Sequence, residues 1–408
     1  MLCKSYTVSY CKGAKTMIKS IMIILLLGII VSKIFQKVKL PGLLGMILLG
    51  VLIGPHGYEL LDQKSILDNS SSIRMLALII ILLRAGLGLD KDTLKRVGKP
   101  AIRMSVIPCI LEGFTITFAA SKLLKLPIIE AGMLGFIIAA VSPAVVVPSM
   151  LYLKEKELGV KKGIPTIILA GASIDDVFAI TLFTAFLGMS KDVGGNILSQ
   201  IVKIPVEIIG GIFFGVLAGY GLYKVFSLTR LKLSELEKLV ILISIALALV
   251  TIGDIVHVSG LLSVMTLGFI ILEKDKKTAL ELEGKLNKIW FFAQIFLFVL
   301  IGAEVNIKVA AGAGIMGMLV IIIGLIGRAI GVIIALRGST LNIKEKLFCA
   351  IAYMPKATVQ AAIGGIPLAA GVSSGGIILA IAVLAIMLTA PLGLIGINLS
   401  GPRLLDNK

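Results

Sequence analysis

Gly163-Ile-Pro-Thr-Ile-Ile-Leu-Ala-Gly-Ala-Ser-Ile-Asp-Asp-Val-Phe-Ala-Ile-Thr-Leu-Phe-Thr-Ala-Phe-Leu-Gly-Met189 is an apolar run of 27 residues with two carboxylates, Asp175 and Asp176, at its centre. A bilayer's hydrocarbon core takes about 20 such residues, so the run reads as a transmembrane helix. In a soluble protein an Asp pair usually caps a helix or forms a turn. In mid-membrane that explanation fails, because an ionisable side chain there costs about 2.5–3.5 kcal/mol on insertion scales and marks a functional site. Two adjacent carboxylates in a poorly hydrated site cannot both ionise cheaply. Such a pair can hold a proton or, once deprotonated, serve as hard oxygen ligands for a small cation. Neighbours on a helix point about 100° apart, so only one of them need face the ion.

The rest of the 408-residue chain is of the same kind: 58% hydrophobic, 15% charged, mean hydropathy +1.05. Soluble domains carry about 25% charged residues, so a cytosolic enzyme or a secreted disulfide domain is excluded. Charge-poor runs bounded by Lys, Arg, Gly or Pro predict 13 crossings, at 17–34, 40–56, 70–89, 100–122, 127–153, 163–190, 198–225, 236–256, 258–273, 287–307, 309–337, 344–370 and 374–399. The eighth and ninth are separated only around His257. No connection is long enough for a soluble domain, so the expected fold is an all-α polytopic membrane protein whose activity resides in the bundle.

The formal charge of +17 follows from the bilayer rather than from a nucleic-acid partner. Of 40 basic residues, 26 fall on the side of the C-terminus, which places the C-terminus in the cytoplasm and the N-terminus outside. Four lysines precede Ile21–Ile30 in the manner of a signal peptide. No A-x-A site follows and the second span comes at once, which predicts a retained first helix. Met17 stands at its start, so residues 1–16 can also be an upstream extension with no structural role. Cys3, Cys11, Cys109 and Cys349 lack CxxC or metal spacing and read as small apolar residues, with no cofactor implied.

Two spans are interrupted. The fifth contains Ala140-Val-Ser-Pro-Ala-Val-Val-Val-Pro-Ser-Met-Leu151, with Pro143 and Pro148 in mid-membrane; the twelfth contains Tyr353-Met-Pro-Lys-Ala-Thr-Val-Gln-Ala-Ala-Ile-Gly364. Pro143 and Pro355 are 212 residues apart, and intramembrane Glu112 and Arg328 are 216 apart. The two broken spans differ by seven, an odd number, so a second copy would run inverted: spans 1–6 and 8–13 as an inverted repeat with the seventh as linker. Lys356, directly after the proline, reads as a fixed cation offsetting exposed carbonyl ends. Glu112 and Arg328 can pair across the bundle, since Arg stays ionised and binds carboxylates bidentately. Arg84 and Glu304, near span ends, either pair or reach the interface, and Glu207, Asp254 and His257 look peripheral.

With these residues in view, the chain resembles the monovalent cation:proton antiporter superfamily, in its two-aspartate group and NHA-type Na⁺/H⁺ antiporter branch. The resemblance rests on Arg84-Ala-Gly-Leu-Gly-Leu-Asp90, Ala140–Leu151, Ser173-Ile-Asp-Asp176, Ile301-Gly-Ala-Glu-Val305 and Pro355–Gly364, which occur in the family's order over most of the chain. It implies an NhaA-like fold with two crossing discontinuous helices. The ion-transporting core would span about 100–190 and 309–399, and a dimerisation or scaffold unit about 17–89 and 198–307. The family's ion-binding aspartates carry over to Asp175 and Asp176 as the Na⁺ and proton site. Val141, Ser142 and Ser173 become candidate secondary ligands, and Pro143, Pro355, Lys356 and Thr358 the broken-helix and charge-balancing residues. Where other members have a lysine in the eleventh span, Arg328 stands here, and it does not release its proton; their charge stoichiometry therefore does not carry over.

The function implied is exchange of Na⁺ or Li⁺ for H⁺ by alternating access, both competing for the aspartates, in a homodimer in the plasma membrane. The residues alone leave open a K⁺/H⁺ exchanger of the same fold, a non-exchanging cation channel or sensor, and an organic anion:Na⁺ symporter. An enzyme is disfavoured, with no nucleophile–base pair, zinc motif or phosphate loop in the sequence.

Overall fold

A computed structural model describes residues 2–61, 66–88, 91–191, 197–228 and 233–405, leaving aside the side chains of 2–15, 91–97, 173, 191, 197–204, 310 and 313. The described residues form helices and no strand. In chain order these are α1 (Leu2–Lys37), α2 (Gly42–Ile53), α3 (Ser70–Leu87), α4 (Lys91–Leu123), α5 (Ile128–Ala139), α6 (Pro143–Glu155), α7 (Ile164–Lys191) and α8 (Ile197–Ser227). They continue with α9 (Glu235–Val256), α10 (Gly260–Lys274), α11 (Lys276–Ala303), α12 (Ile307–Ala335), α13 (Ile343–Ala352), α14 (Thr358–Ile363), α15 (Ile366–Ala369) and α16 (Gly375–Leu404).

Local chemistry sets the boundaries. Pro41 precedes α2, Pro127 precedes α5 and Pro143 begins α6, where a missing N–H costs nothing. Ser234 with Glu237 and Asn342 with Glu345 form reciprocal capping boxes at the starts of α9 and α13. Between α9 and α10, His257 takes a left-handed conformation at φ 54° and Ser259 caps the next helix, so the narrow gap read around His257 is a true helix boundary. Gly98, at φ 62°, kinks the entry to α4 two residues ahead of Pro100.

Among the described residues, ten of the expected crossings have helices long and apolar enough to span a membrane, and the count of 13 is not confirmed on that measure. The three shortfalls have identifiable causes. The 12-residue α2 stops at Gly54-Pro55, the 15-residue α10 is closed by Glu273-Lys274, and the twelfth span is cut into α13, α14 and α15. Within the first span, the apolar stretch Thr16–Lys37 lies in α1, while the side chains of most of the suggested extension 1–16, with Cys3 and Cys11, lie outside the described residues. Cys109 and Cys349 are buried free thiols in apolar surroundings.

Two sets of helices pack within themselves. In one, α4 lies against α5, α7 and α12, and α16 against α12, α13 and α6. In the other, α10 contacts α8, α3, α9 and α11, and α11 contacts α2 and α3, with α1 on α2. The sets meet where α14 touches α3 and α11 and where α7 touches α8 and α10.

Close helix approach in a membrane relies on small residues. At the α2–α11 contact a Cβ on Gly50 would lie 2.0 Å from the Val299 carbonyl oxygen, and one on Gly302 would lie 2.2 Å from that of Ile47. Both obstacles are backbone, which cannot rotate away. Gly302→Ala is therefore expected to lower thermal stability in detergent by the equivalent of about 1–3 kcal/mol. Gly221→Ala, whose Cβ meets nothing within 4 Å, should leave the melting temperature unchanged or slightly raised.

Candidate functional site

The site is built from two broken helices. At the first break, α5 ends at Ala139, Ala140 turns extended (φ −72°, ψ 139°), and α6 restarts at Pro143 with Ser142 as its N-cap. At the second, α13 ends at Ala352 and Tyr353-Met-Pro-Lys-Ala357 precedes α14. A proline has no N–H to donate and pushes the residue before it out of helical geometry, so both interruptions are local consequences of Pro143 and Pro355. They cross in contact: the Ser142 N–H donates to the Pro355 carbonyl at 2.8 Å.

Breaking a helix in an apolar environment strands backbone carbonyls and N–H groups, each of which needs a partner. Arg328, fully buried on α12, supplies several. Its Nε donates to the Tyr353 carbonyl at 2.5 Å, its Nη1 to the Ala139 carbonyl, and its planar guanidinium lies 5.2 Å from the Tyr353 ring centroid. The same guanidinium binds two carboxylates, Glu112 Oε2 at 2.5 Å through Nη1 and Asp175 Oδ2 at 2.8 Å through Nη2. Only arginine offers enough donors in a fixed fork to serve the carbonyl end of each break and two carboxylates while remaining charged.

Glu112 also receives Lys356 Nζ at 2.6 Å. The lysine thus neutralises an acid rather than covering carbonyl ends, the role expected for it above. The carbonyl ends are covered by Arg328 and by Gln360, whose Nε2 donates to Ile137, Ile138 and Ala140 at 3.0, 3.3 and 2.9 Å. The Lys356 backbone N–H donates to Thr389 Oγ1 at 2.9 Å.

The two aspartates differ sharply. Asp175 is fully buried and held by Arg328 and by the Val141 N–H, both on Oδ2, the latter at 2.8 Å. Asp176 is 6% exposed and forms no ion pair among the described residues; its Oδ1 has no hydrogen-bond partner there. Ser142 Oγ, Thr358 Oγ1 and Asp175 Oδ1 are likewise buried without partners among the described residues. Uncharged and carboxylate oxygens left this way suit a hard monovalent cation. The side chain of Ser173 lies outside the described residues.

Of the two alternatives for Arg84 and Glu304, the pairing is not formed. Glu304 is bound by Arg74 at 2.8 Å, from the other end of α3, and Arg84 lies near Glu283. The reason is helical geometry: ten residues separate Arg74 from Arg84, about 15 Å along α3, and the α11 terminus meets only the nearer end. Three residues around the breaks carry roles that composition did not assign. Gln360 was discoverable as a lone amide in the apolar stretch after Pro355, whereas Tyr353, which acts through its carbonyl and ring, and Thr389 gave no sequence signal.

Removing one partner of a buried ion pair is worse than never having the pair, since the remaining charge stays buried. Arg328→Met is expected to cost about 3–5 kcal/mol of stability, seen as a large drop in melting temperature in detergent.

Residues 21–398 match the family model described as "Sodium/hydrogen exchanger, transmembrane". Sodium/hydrogen exchanger 9B2 of Homo sapiens is 36% identical over 397 residues, which cover 93% of this chain and 72% of that protein. Sodium/hydrogen exchanger 9B1 of Homo sapiens is 34% identical over 398 residues, with 93% and 76% covered. Among solved structures, the sodium proton antiporter MjNhaP1 from Methanocaldococcus jannaschii superposes with a TM-score of 0.80 at 22% identity, covering 96% of this chain and 99% of that one. At that identity the likeness bears on the fold.

Proposed function

The chain belongs to the transmembrane sodium/hydrogen exchanger family and is a Na⁺/H⁺ exchanger, and from that premise we propose that exchange runs through Asp176, with Asp175 as its electrostatically fixed neighbour. The observation that carries this reading is the asymmetry of the pair: Asp175 Oδ2 is held by Arg328 and the Val141 N–H, while Asp176 Oδ1 is buried and unpartnered among the described residues. Na⁺ and H⁺ bind there in turn, with Asp175 Oδ1, Ser142 Oγ and Thr358 Oγ1 as supporting oxygens.

A charge count supports one-for-one exchange. Glu112 and Asp175 are matched by Arg328 and Lys356, which leaves Asp176 as the surplus charge of the cluster. One Na⁺ or one H⁺ neutralises it. An empty site is then the only charged state, and carrying it past an apolar barrier is unfavourable, which couples the two ions.

The moving part is proposed to be the set α4–α7 with α12–α16, working against α1–α3 with α8–α11. Support comes from the packing, since each set is internally contiguous and the two broken helices fall in one of them. Asp176 directly precedes residues of the seam: Val177, Ile180 and Thr181, which follow it on α7, line a crevice with Leu82 of α3 and Leu261, Leu262 and Met265 of α10. A homodimer is proposed through the second set, where α1, α8 and α9 leave most of their surface uncovered. The excess of basic residues on the C-terminal side supports a cytoplasmic C-terminus.

In proteoliposomes, Asp176→Asn should abolish Na⁺-driven proton movement; full exchange in that variant would sink the assignment. With the wild-type protein, clamping the membrane potential at different values should leave the exchange rate unchanged. A rate that follows the potential would contradict the one-for-one count.

A further inference from the structure

A cavity of about 650 Å³ opens at one end of the bundle and shares no residue with the aspartate cluster. It lies between the α6–α7 and α12–α13 connections, with Pro100 of α4 as a third wall. Its polar lining is Lys154, Lys161, Lys162, Thr166, Ser339 and Thr340, with no carboxylate among the described residues that line it. The volume falls in the range of small-molecule sites, about 300–1,000 Å³. Leu405, beyond the last helix, shares a buried cluster with Leu158 and Ile164, so the cavity stands on the side of the C-terminus.

One of the three lysines is already matched. Lys162 Nζ binds Glu345 at 2.8 Å, and that carboxylate, 1% exposed, also accepts the Asn342 N–H at 2.8 Å in the capping box of α13. Lys154 and Lys161 form no ion pair among the described residues. Arg103, one turn after Pro100, donates to the Arg337 carbonyl at 3.1 Å and adds a further positive charge beside the cavity. Like charges gathered around a concave surface repel one another until an anion enters, and the gain grows with the anion's charge.

The donor set indicates the class of anion. Lysine is a compact point charge with three N–H donors and a common phosphate binder, and the hydroxyls of Thr166 and Thr340 add further donors. A phosphate group presents three terminal oxygens, enough to accept from both unmatched lysines and a hydroxyl at once. Val160, Ile334 and Ile343, close to the lining in sequence or part of it, are exposed apolar side chains at the ends of membrane helices. A lipid headgroup can therefore enter as readily as a soluble phosphate compound, and basic pockets between membrane helices take such headgroups.

We propose that this cavity is a binding site for a multiply charged phosphate anion, held by Lys154 and Lys161. Its place in the fold gives the ligand a structural consequence. α6 is the second half of the first broken span and α13 the first half of the second, so an anion seated here ties the outer ends of both. At this end the two connections are otherwise tied by Lys162 with Glu345. The site lies wholly within the set α4–α7 with α12–α16, so its occupation stabilises that set without bridging the seam.

The test measures melting temperature in lipid nanodiscs at matched ionic strength, in two arms. One uses phosphatidylcholine alone with inorganic pyrophosphate added to the solution; the other uses phosphatidylcholine containing phosphatidylinositol bisphosphate. Wild type should gain about 2–4 °C in at least one arm, and the arm that responds identifies the source of the phosphate. Lys154→Gln with Lys161→Gln should require about fivefold more ligand for the same gain. Lys162 is left in place, because its removal would strand the buried Glu345. Thr340→Glu, which sets a carboxylate at the exposed rim, should weaken the response likewise and carries the decision if the lysine variant is not recovered. Lys277→Gln with Lys288→Gln removes the same charge from exposed positions on α11 and should respond as wild type does. No gain in either arm overturns the proposal. So does an equal loss of response in the α11 variant, which would assign the effect to the overall charge of +17 rather than to the cavity.

Discussion

One guanidinium holds the centre of this molecule together. Arg328 joins Glu112 of α4, Asp175 of α7, the carbonyl at the end of α5 and the carbonyl at the end of α13. Each of those four groups would be costly alone in an apolar interior: two as uncompensated charges, two as stranded backbone acceptors. Gathered on one cation they satisfy one another. The broken helices and the buried acids are thus a single solution, since the breaks expose the carbonyls that share the guanidinium with the acids.

That arrangement gives the two aspartates different work despite their adjacency. A rotation of about 100° per residue sends Asp175 into the cluster and Asp176 toward the edge, where it remains 6% exposed. The fixed charges of the cluster cancel without Asp176. On the proposed assignment a single ion arriving there changes the site from charged to neutral, the property that an exchanger of one cation for one proton needs.

Much of this was legible in the sequence because the membrane penalises charge so heavily. Asp175, Asp176, Glu112, Arg328 and Lys356 stood out as ionisable residues in apolar runs, and the prolines at 143 and 355 marked both breaks. What pairs with what was less legible. Arg84 and Arg74 lie on the same helix, and only the packing of α3 on α11 determines that Arg74 meets Glu304. Roles carried by backbone groups, such as the Tyr353 carbonyl and the Val141 N–H, leave no trace in residue type, and Lys356 proved to serve Glu112 rather than the carbonyls beside it. The count of 13 crossings is not confirmed among the described residues, because two short helices and one interrupted span fall below the length that marks a full crossing.

The placement of ion pairs bears directly on how the two helix sets can move. Arg74 with Glu304 joins α3 to α11, and Lys285 with Glu235 joins α11 to α9, both inside one set. Lys162 with Glu345, and the whole Arg328 cluster, lie inside the other. Along the crevice beside Asp176 the facing residues are Leu82, Leu261, Leu262 and Met265. Sliding along such a seam would exchange one apolar contact for another and break none of these pairs, which is why the proposed mechanism places the control of motion in the charge on Asp176. On the proposed mechanism, an apolar seam next to an ionisable group would act as a gate in its own right: it would resist movement while the carboxylate is charged and permit it once Na⁺ or H⁺ has made the site neutral.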